Sequence, residues 1–232
     1  MNPGEAEGGS GSRLEEAVQP GPASIWQAAK AATPLAAVVA SKPRLDRPTP
    51  RPYAYIRGMA AAPHPTHDYR AILEVILAGY ALPHDGYHGI QHWARVWENG
   101  SQVASVNGGD VEVVRLFALF HDARRVNEHI DPEHGQRGGD LARTLRGSLV
   151  HLDDPRFDLL YEACRLHTDG HTEGDPTLLA CWDADRLDLG RVGITPKPAL
   201  LCTEAARTLI PWAQQRAQRD HPEHHVLQLW GR

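Results

Sequence analysis

The stretch Asp110–Arg125, DVEVVRLFALFHDARR, decides how the rest of the chain is read. Val111, Val113, Val114, Leu116, Phe117, Ala118, Leu119 and Phe120 leave almost no polar face, so the spacing predicts a helix buried on most sides, with Asp110 as its N-cap. Such a helix ends here in His121-Asp122 and two arginines, and that charge needs a reason. Taking an ionised carboxylate out of water is costly unless a partner offsets it, and an imidazole beside a carboxylate is a natural pair of ligands for a divalent cation. His121 and Asp122 are therefore read as two ligands of one ion.

The remaining ligands should come from distant parts of the chain. Upstream, HGIQHWARVWENG holds His92, followed by Arg95 and Val96; downstream, CWDADRLDLGRVGI holds Asp183, Asp185 and Asp188. Three elements stand in order: H-x-x-R-V at His92–Val96, F-H-D at Phe120–Asp122 and A-D-R-L at Ala184–Leu187, each on a helix-like segment. This order resembles the HD-domain superfamily of metal-dependent phosphohydrolases, over roughly residues 68 to 195. The resemblance implies an all-α fold, a compact helical bundle of the HD type. It also implies His92, His121, Asp122 and Asp185 as metal ligands, with Asp122 positioning the attacking water as well.

A chain of 232 residues suits one domain with a tail. Residues 1–60 are rich in Gly, Pro, Ala and Ser, as in MNPGEAEGGSGS and SKPRLDRPTPRP, and bury too little apolar surface to offset chain entropy. They are expected to be a disordered extension, with room for a short helix at Ala23–Ala32, ahead of an HD-type helical domain at 61–232. The two methionines are Met1 and Met59, and Met59 precedes the first well-patterned helix, so the hypothesis is that translation begins there. A net charge of -5 argues against a protein that coats nucleic acid. The best apolar run, Pro34–Ala40, is too short to span a membrane, and Glu5, Glu7, Glu15 and Glu16 precede it where a signal peptide carries positive charge. Three cysteines without C-x-x-C spacing fit buried thiols in a reducing, cytoplasmic setting.

Histidine is the compositional outlier, with 14 residues against three phenylalanines, which suggests metal or proton chemistry. His64, His67 and His84 lie in loop-like sequence and His221, His224 and His225 in a polar tail, so these six are expected to have no catalytic role. DYRAILEVILAGY predicts a helix capped by Asp68 and ending near Gly79. His88 and His92 are four apart and would share a helix face, with His88 as a supporting or substrate contact. Trp93 and Trp97 read as core. Asp131-Pro132 opens a further helix, placing His134 in its first turn and Arg137 three residues on. FDLLYEACRLHTDGHT delivers His167 at a helix end, with His171 beyond the Asp169-Gly170 turn. In two-metal members of the superfamily, extra histidines between the His-Asp pair and the last Asp bind a second ion. His134, His167 and His171 are thus candidates, with His88 and Arg137, for a second metal or for phosphate; one ion is preferred. After Asp175-Pro176, Asp185 can bind metal while Asp188 orients a histidine or pairs with Arg191. PALLCTEAARTLIPWAQQRAQRD predicts a closing amphipathic helix broken near Pro211.

Two imidazoles and two carboxylates make a mixed site suited to Mn²⁺, Fe²⁺, Co²⁺, Ni²⁺, Zn²⁺ or Mg²⁺. Arg124, Arg125 and Arg137 carry the charge to grip a phosphate, although Ala123-Arg124-Arg125 departs from the small or acidic residues that follow His-Asp in many nucleotide-cleaving relatives. The expected activity is metal-assisted hydrolysis of a phosphomonoester or phosphodiester of a small molecule, a nucleotide first. Two readings from other classes remain open: an HD-type di-iron oxygenase, and a catalytically silent module that binds metal and nucleotide.

Overall fold

The computed structural model describes residues 67–218 and 228–230. The expectations for residues 1–60, the Met59 start, His64 and the tail histidines His221, His224 and His225 lie outside these. Among the described residues the fold is all-α: α1 Tyr69–Ala78, α2 Ile90–Asn107, α3 Val111–Phe120, α4 His134–Leu145, α5 Asp154–Leu166, α6 Pro176–Leu187 and α7 Glu204–Ala217, with 3-10 turns at Asp188–Val192 and Pro198–Leu200. No helix among them is long and apolar enough to cross a membrane.

The apolar run that organised the sequence is the centre of the molecule. Helix α3 packs against α1, α2, α4, α5 and α6. Leu116, Phe117, Leu119 and Phe120 are fully buried there, together with Trp93 of α2 and Leu160 of α5. Fully burying one such side chain is worth about 1.5–3 kcal/mol, so this helix is held far more by packing than by its own propensity. Its start is fixed as well. The Asp110 carboxylate accepts from the Glu112 and Val113 amides at 2.9 and 3.1 Å and from Arg156 Nε at 2.7 Å, tying α3 to α5.

Local chemistry sets most of the other helix starts in the same way. Asp68, Asp153, Asp175 and Thr203 each cap a helix through a side-chain oxygen. Helices α2 and α4 lack a side-chain cap, and these are the two that bring His92 and His134 inward from their first turn. His88 is not on the face of α2 as its spacing suggested. It lies in the turn before the helix, where the Ile90 amide bonds the His84 carbonyl at 2.9 Å and a Cβ on Gly89 would meet that carbonyl oxygen at 2.0 Å. Helix α4 begins at His134 rather than at Asp131-Pro132, because the Asp131 carboxylate is taken by Arg137 and by the Val126 amide.

Pro211 does not break the last helix. It sits on the exposed side of α7, where a freed carbonyl is not shut away from solvent, while Ala206 and Ala213 are buried on either side. Asp183, one of the candidate ligands, is structural. Its two oxygens accept from the Cys202 amide at 2.7 Å and from the Thr203 amide and hydroxyl at 2.8 and 2.7 Å, fixing where α7 starts against α6.

Gly138 lets α4 approach the end of α3. A Cβ there would stand 2.0 Å from the Phe120 carbonyl oxygen, immediately before His121. Overpacking of this kind costs about 1–3 kcal/mol and about 2–4 °C per kcal/mol in a domain of this size, so Gly138→Ala should lower Tm by roughly 2–12 °C. An unchanged melting curve would contradict the close approach.

Candidate metal centre

The centre is built at helix ends. His92 comes from the first turn of α2, His121 and Asp122 follow directly on α3, His134 opens α4, His167 closes α5, and Asp185 and Asp188 sit at the end of α6. Six of these seven side chains are buried, Asp185 alone being partly open.

Hydrogen bonding assigns the proton of every ring. His92 Nδ1 donates to Asp188 Oδ2 at 2.7 Å, His121 Nδ1 to the Phe117 carbonyl at 3.1 Å, and His167 Nδ1 to the Cys164 carbonyl at 2.7 Å. His134 Nδ1 donates to the Asp131 carbonyl. With each Nδ1–H turned outward, the four Nε2 lone pairs face inward. His92 Nε2 lies 3.1 Å from His121 Nε2, 3.4 Å from Asp185 Oδ1 and 3.5 Å from Asp122 Oδ2. On the other side, His134 Nε2 lies 2.9 Å from His167 Nε2 and 3.1 Å from Asp122 Oδ1. Two groups result, His92–His121–Asp185 and Asp122–His134–His167, and the two oxygens of Asp122 serve one group each.

These donor atoms fit a divalent ion. Nitrogens and carboxylate oxygens that face one another at about 3 Å repel unless positive charge stands between them. Imidazole nitrogens with carboxylate oxygens are the ligand mixture that divalent transition metals take.

Electrostatics point the same way. Burial opposes ionisation of Asp122 and Asp185. Yet His121, His88, His134 and His92 around the former, and His92 and Arg191 beside the latter, hold both carboxyls well below the usual range. Burial pushes His121 down to about 3 and lowers His167 too. His92 goes the other way. Burial and Arg191 oppose its charged form, but Asp122, Asp185 and Asp188 outweigh them and raise it to about 9. Three carboxylates therefore call for positive charge at His92 Nε2, and a proton or a metal ion answers that call.

Not every residue singled out in the sequence reaches the centre. His171 follows Gly170, whose φ of 79° turns the chain away; its half-exposed ring stands beside Trp182, outside both groups. Arg124 turns to the end of α1, donating to the Ile76 carbonyl at 3.1 Å, and Arg137 grips Asp131 and the Arg124 carbonyl. Arg125 alone of the three touches either group, 3.3 Å from Asp122 Oδ1. His88 borders the first group with its ring 6.2 Å from that of His92, and its Nδ1 bonds Glu128; burial drives it down to about 2. Asp188 does orient a histidine, but its other partner is Arg95, at 2.6 Å, while Arg191 stands at 3.9 Å. Sequence reading gave Arg95 no role, although the three-residue step from His92 places both on one face of α2 and so toward one carboxylate. Arg191 is the cation nearest the open side, its NH2 3.9 Å from Asp185 Oδ1 and its Nε donated to the Tyr87 carbonyl.

Carboxylates that hold a ligating histidine by its far nitrogen typically carry about tenfold to hundredfold of metal affinity. Asp188→Asn should weaken divalent-ion binding by about that factor in calorimetric titration and should lower Tm, because Arg95 stays buried without its counter-ion. A folded variant with unchanged ion affinity would contradict the role given to Asp188.

No family model matches the chain, and neither does any curated protein. Among solved structures, the chain is similar to a predicted HD superfamily hydrolase from an uncultured Thermotogales bacterium, at 28% identity and a TM-score of 0.50, over 63% of this chain and 83% of that one. The helical fold and the His, His-Asp, Asp order are thus similar to those of a predicted HD superfamily hydrolase, and the two His/Asp groups are of a kind that could hold a metal ion.

Proposed function

We propose that the protein is a metal-dependent phosphohydrolase that cleaves a phosphomonoester or phosphodiester of a small molecule, a nucleotide first. The observation that carries this reading is the convergence of the imidazole nitrogens of His92 and His121 and the carboxylates of Asp122 and Asp185 within about 3.5 Å of His92 Nε2, with Arg191 at the open side. A divalent ion held there lowers the pKa of a bound water and neutralises charge on a phosphoryl oxygen.

The chain's own residues supply the rest. Asp188 and the Phe117 carbonyl keep His92 and His121 in the ligating tautomer, so no reorganisation is needed when the site is used. Arg191 is pinned by the Tyr87 and Asp188 carbonyls, which leaves NH2 directed past Asp185 to meet an anionic oxygen. Arg124 and Arg137, occupied with backbone carbonyls and Asp131, are not assigned to phosphate. Tyr87, whose carbonyl holds Arg191, is exposed beside the site, and a flat group such as a nucleobase suits its ring. The net charge of -5 favours a small anion gripped by few cations over a polyanion.

The test is elemental analysis of untagged protein together with phosphate release from a panel of nucleotides and p-nitrophenyl phosphate with added Mn²⁺. Release should depend on the metal, fall by about a hundredfold or more in Asp122→Ala, and fall by roughly tenfold to hundredfold in kcat/KM in Arg191→Ala, the worth of one charged hydrogen bond. Tightly bound iron with oxygen uptake and no release would favour an oxygenase. Nucleotide binding without release would favour a silent module, and neither metal nor release would overturn the ligand assignment.

A further inference from the structure

Arg125 occupies an unusual place for a residue next to a metal ligand. It is buried, and its NH1 lies 3.3 Å from Asp122 Oδ1 and 3.0 and 3.4 Å from the two nitrogens of His134. Asp122 Oδ1 and His134 Nε2 are two of the three ligand atoms of the second histidine group. Asp122 is also the one carboxylate within ion-pair distance of Arg125 among the described residues. The guanidinium is anchored from behind, with Nε donated to the Asn127 carbonyl at 3.3 Å and NH2 to the His129 carbonyl at 2.7 Å. Among the described residues no guanidinium is hydrogen-bonded to a side chain of the first group, and Arg191 stays 3.9 Å from Asp185.

We propose that Arg125 is a built-in cation guarding the second group, so that the protein holds one divalent ion firmly and admits a second only when Arg125 leaves Asp122. The proposal rests on the ligand assignment above. Its physical basis is competition. A guanidinium cannot lose its proton at ordinary pH, so it keeps its positive charge beside Asp122 Oδ1. A second ion would have to share that oxygen with it and would meet like charge at close range in a buried site. Asp122 then divides its charge, one oxygen facing the first group and the other neutralised by Arg125. The arginine does for the second group part of what a metal would do, at the cost of the open coordination positions a metal offers.

Calorimetric titration with Mn²⁺, supported by electron paramagnetic resonance, tests this on the full chain. Wild type should bind one ion, with a second at least roughly tenfold weaker. Arg125→Met, which keeps the bulk and removes the charge, should bind the second ion at least roughly tenfold more tightly than wild type and show the spin-coupled signal of an ion pair. Adding His167→Ala to Arg125→Met should remove that second ion and leave the first, whereas Arg125→Lys should stay like wild type. Equal affinity for two ions in wild type and Arg125→Met would overturn the proposal while sparing the ligand assignment. No ion bound by any variant would overturn both. Should Arg125→Met fail to fold, wild-type crystals soaked in concentrated Mn²⁺ decide the matter. A second ion accompanied by a displaced Arg125 is expected, and a second ion with Arg125 still hydrogen-bonded to Asp122 would overturn it.

Discussion

Two imidazole nitrogens held 3.1 Å apart with both of their hydrogens on the far side of the rings set the terms for the rest of this molecule. Such an arrangement is unfavourable by itself, since it brings lone pairs and carboxylate oxygens together in a region of low dielectric. It persists because the surrounding helices over-determine it. The His121 ring is fixed by the carbonyl one turn back on α3 and stacks on Phe117, with centroids 4.9 Å apart. His92 is fixed by Asp188, which is in turn held by Arg95. Each of these two rings thus has a partner from a different helix or an earlier turn, and the bundle cannot relax one contact without disturbing another.

The fold explains why this is possible. Almost all of the apolar surface of α3 is buried, so its end is carried deep into the bundle along with His121 and Asp122. Gly138 and Gly135 let α4 come close enough to deliver His134 against α3 and α5; a Cβ on Gly135 would stand 2.1 Å from the Cys164 carbonyl oxygen. That carbonyl belongs to the residue whose oxygen holds His167. Small residues at the crossing and functional residues at the helix ends are therefore two parts of one design. Stability placed in α3 is stability placed in the site.

Much of this was legible in the sequence, and the reasons differ from residue to residue. Helix α3 could be read because eight of its positions are apolar and its cap is an aspartate, both local signals. His121 stood out because a buried helical segment has little other use for such a group, whereas His92 and Asp185 were singled out only through the resemblance of the His, His-Asp, Asp order to the HD pattern. The role of Asp188 was half legible: its spacing from Asp185 placed it near the site, but its choice of Arg95 over Arg191 depends on how α2 crosses α6. Arg124 and Arg125 are neighbours with the same side chain and opposite fates, one bonded to the end of α1 and the other to Asp122, and no sequence pattern distinguishes them. The same holds for His167 and His171. Both follow α5, but the first caps it and the second lies past a glycine with positive φ, so only the first points inward. The Pro211 expectation erred because a break in donor pattern was equated with a break in helix, whereas an exposed carbonyl can turn to water.

The account depends most directly on where the histidine protons lie. Assigned nitrogen-15 spectra of the histidine side chains, recorded with and without diamagnetic Zn²⁺, would read this at each ring. The account predicts that His92, His121, His134 and His167 carry hydrogen on Nδ1 in the zinc-loaded protein, and that Nε2 of His92 and His121 shift on metal addition. Hydrogen on Nε2 of His121, with no response of either ring to zinc, would contradict it.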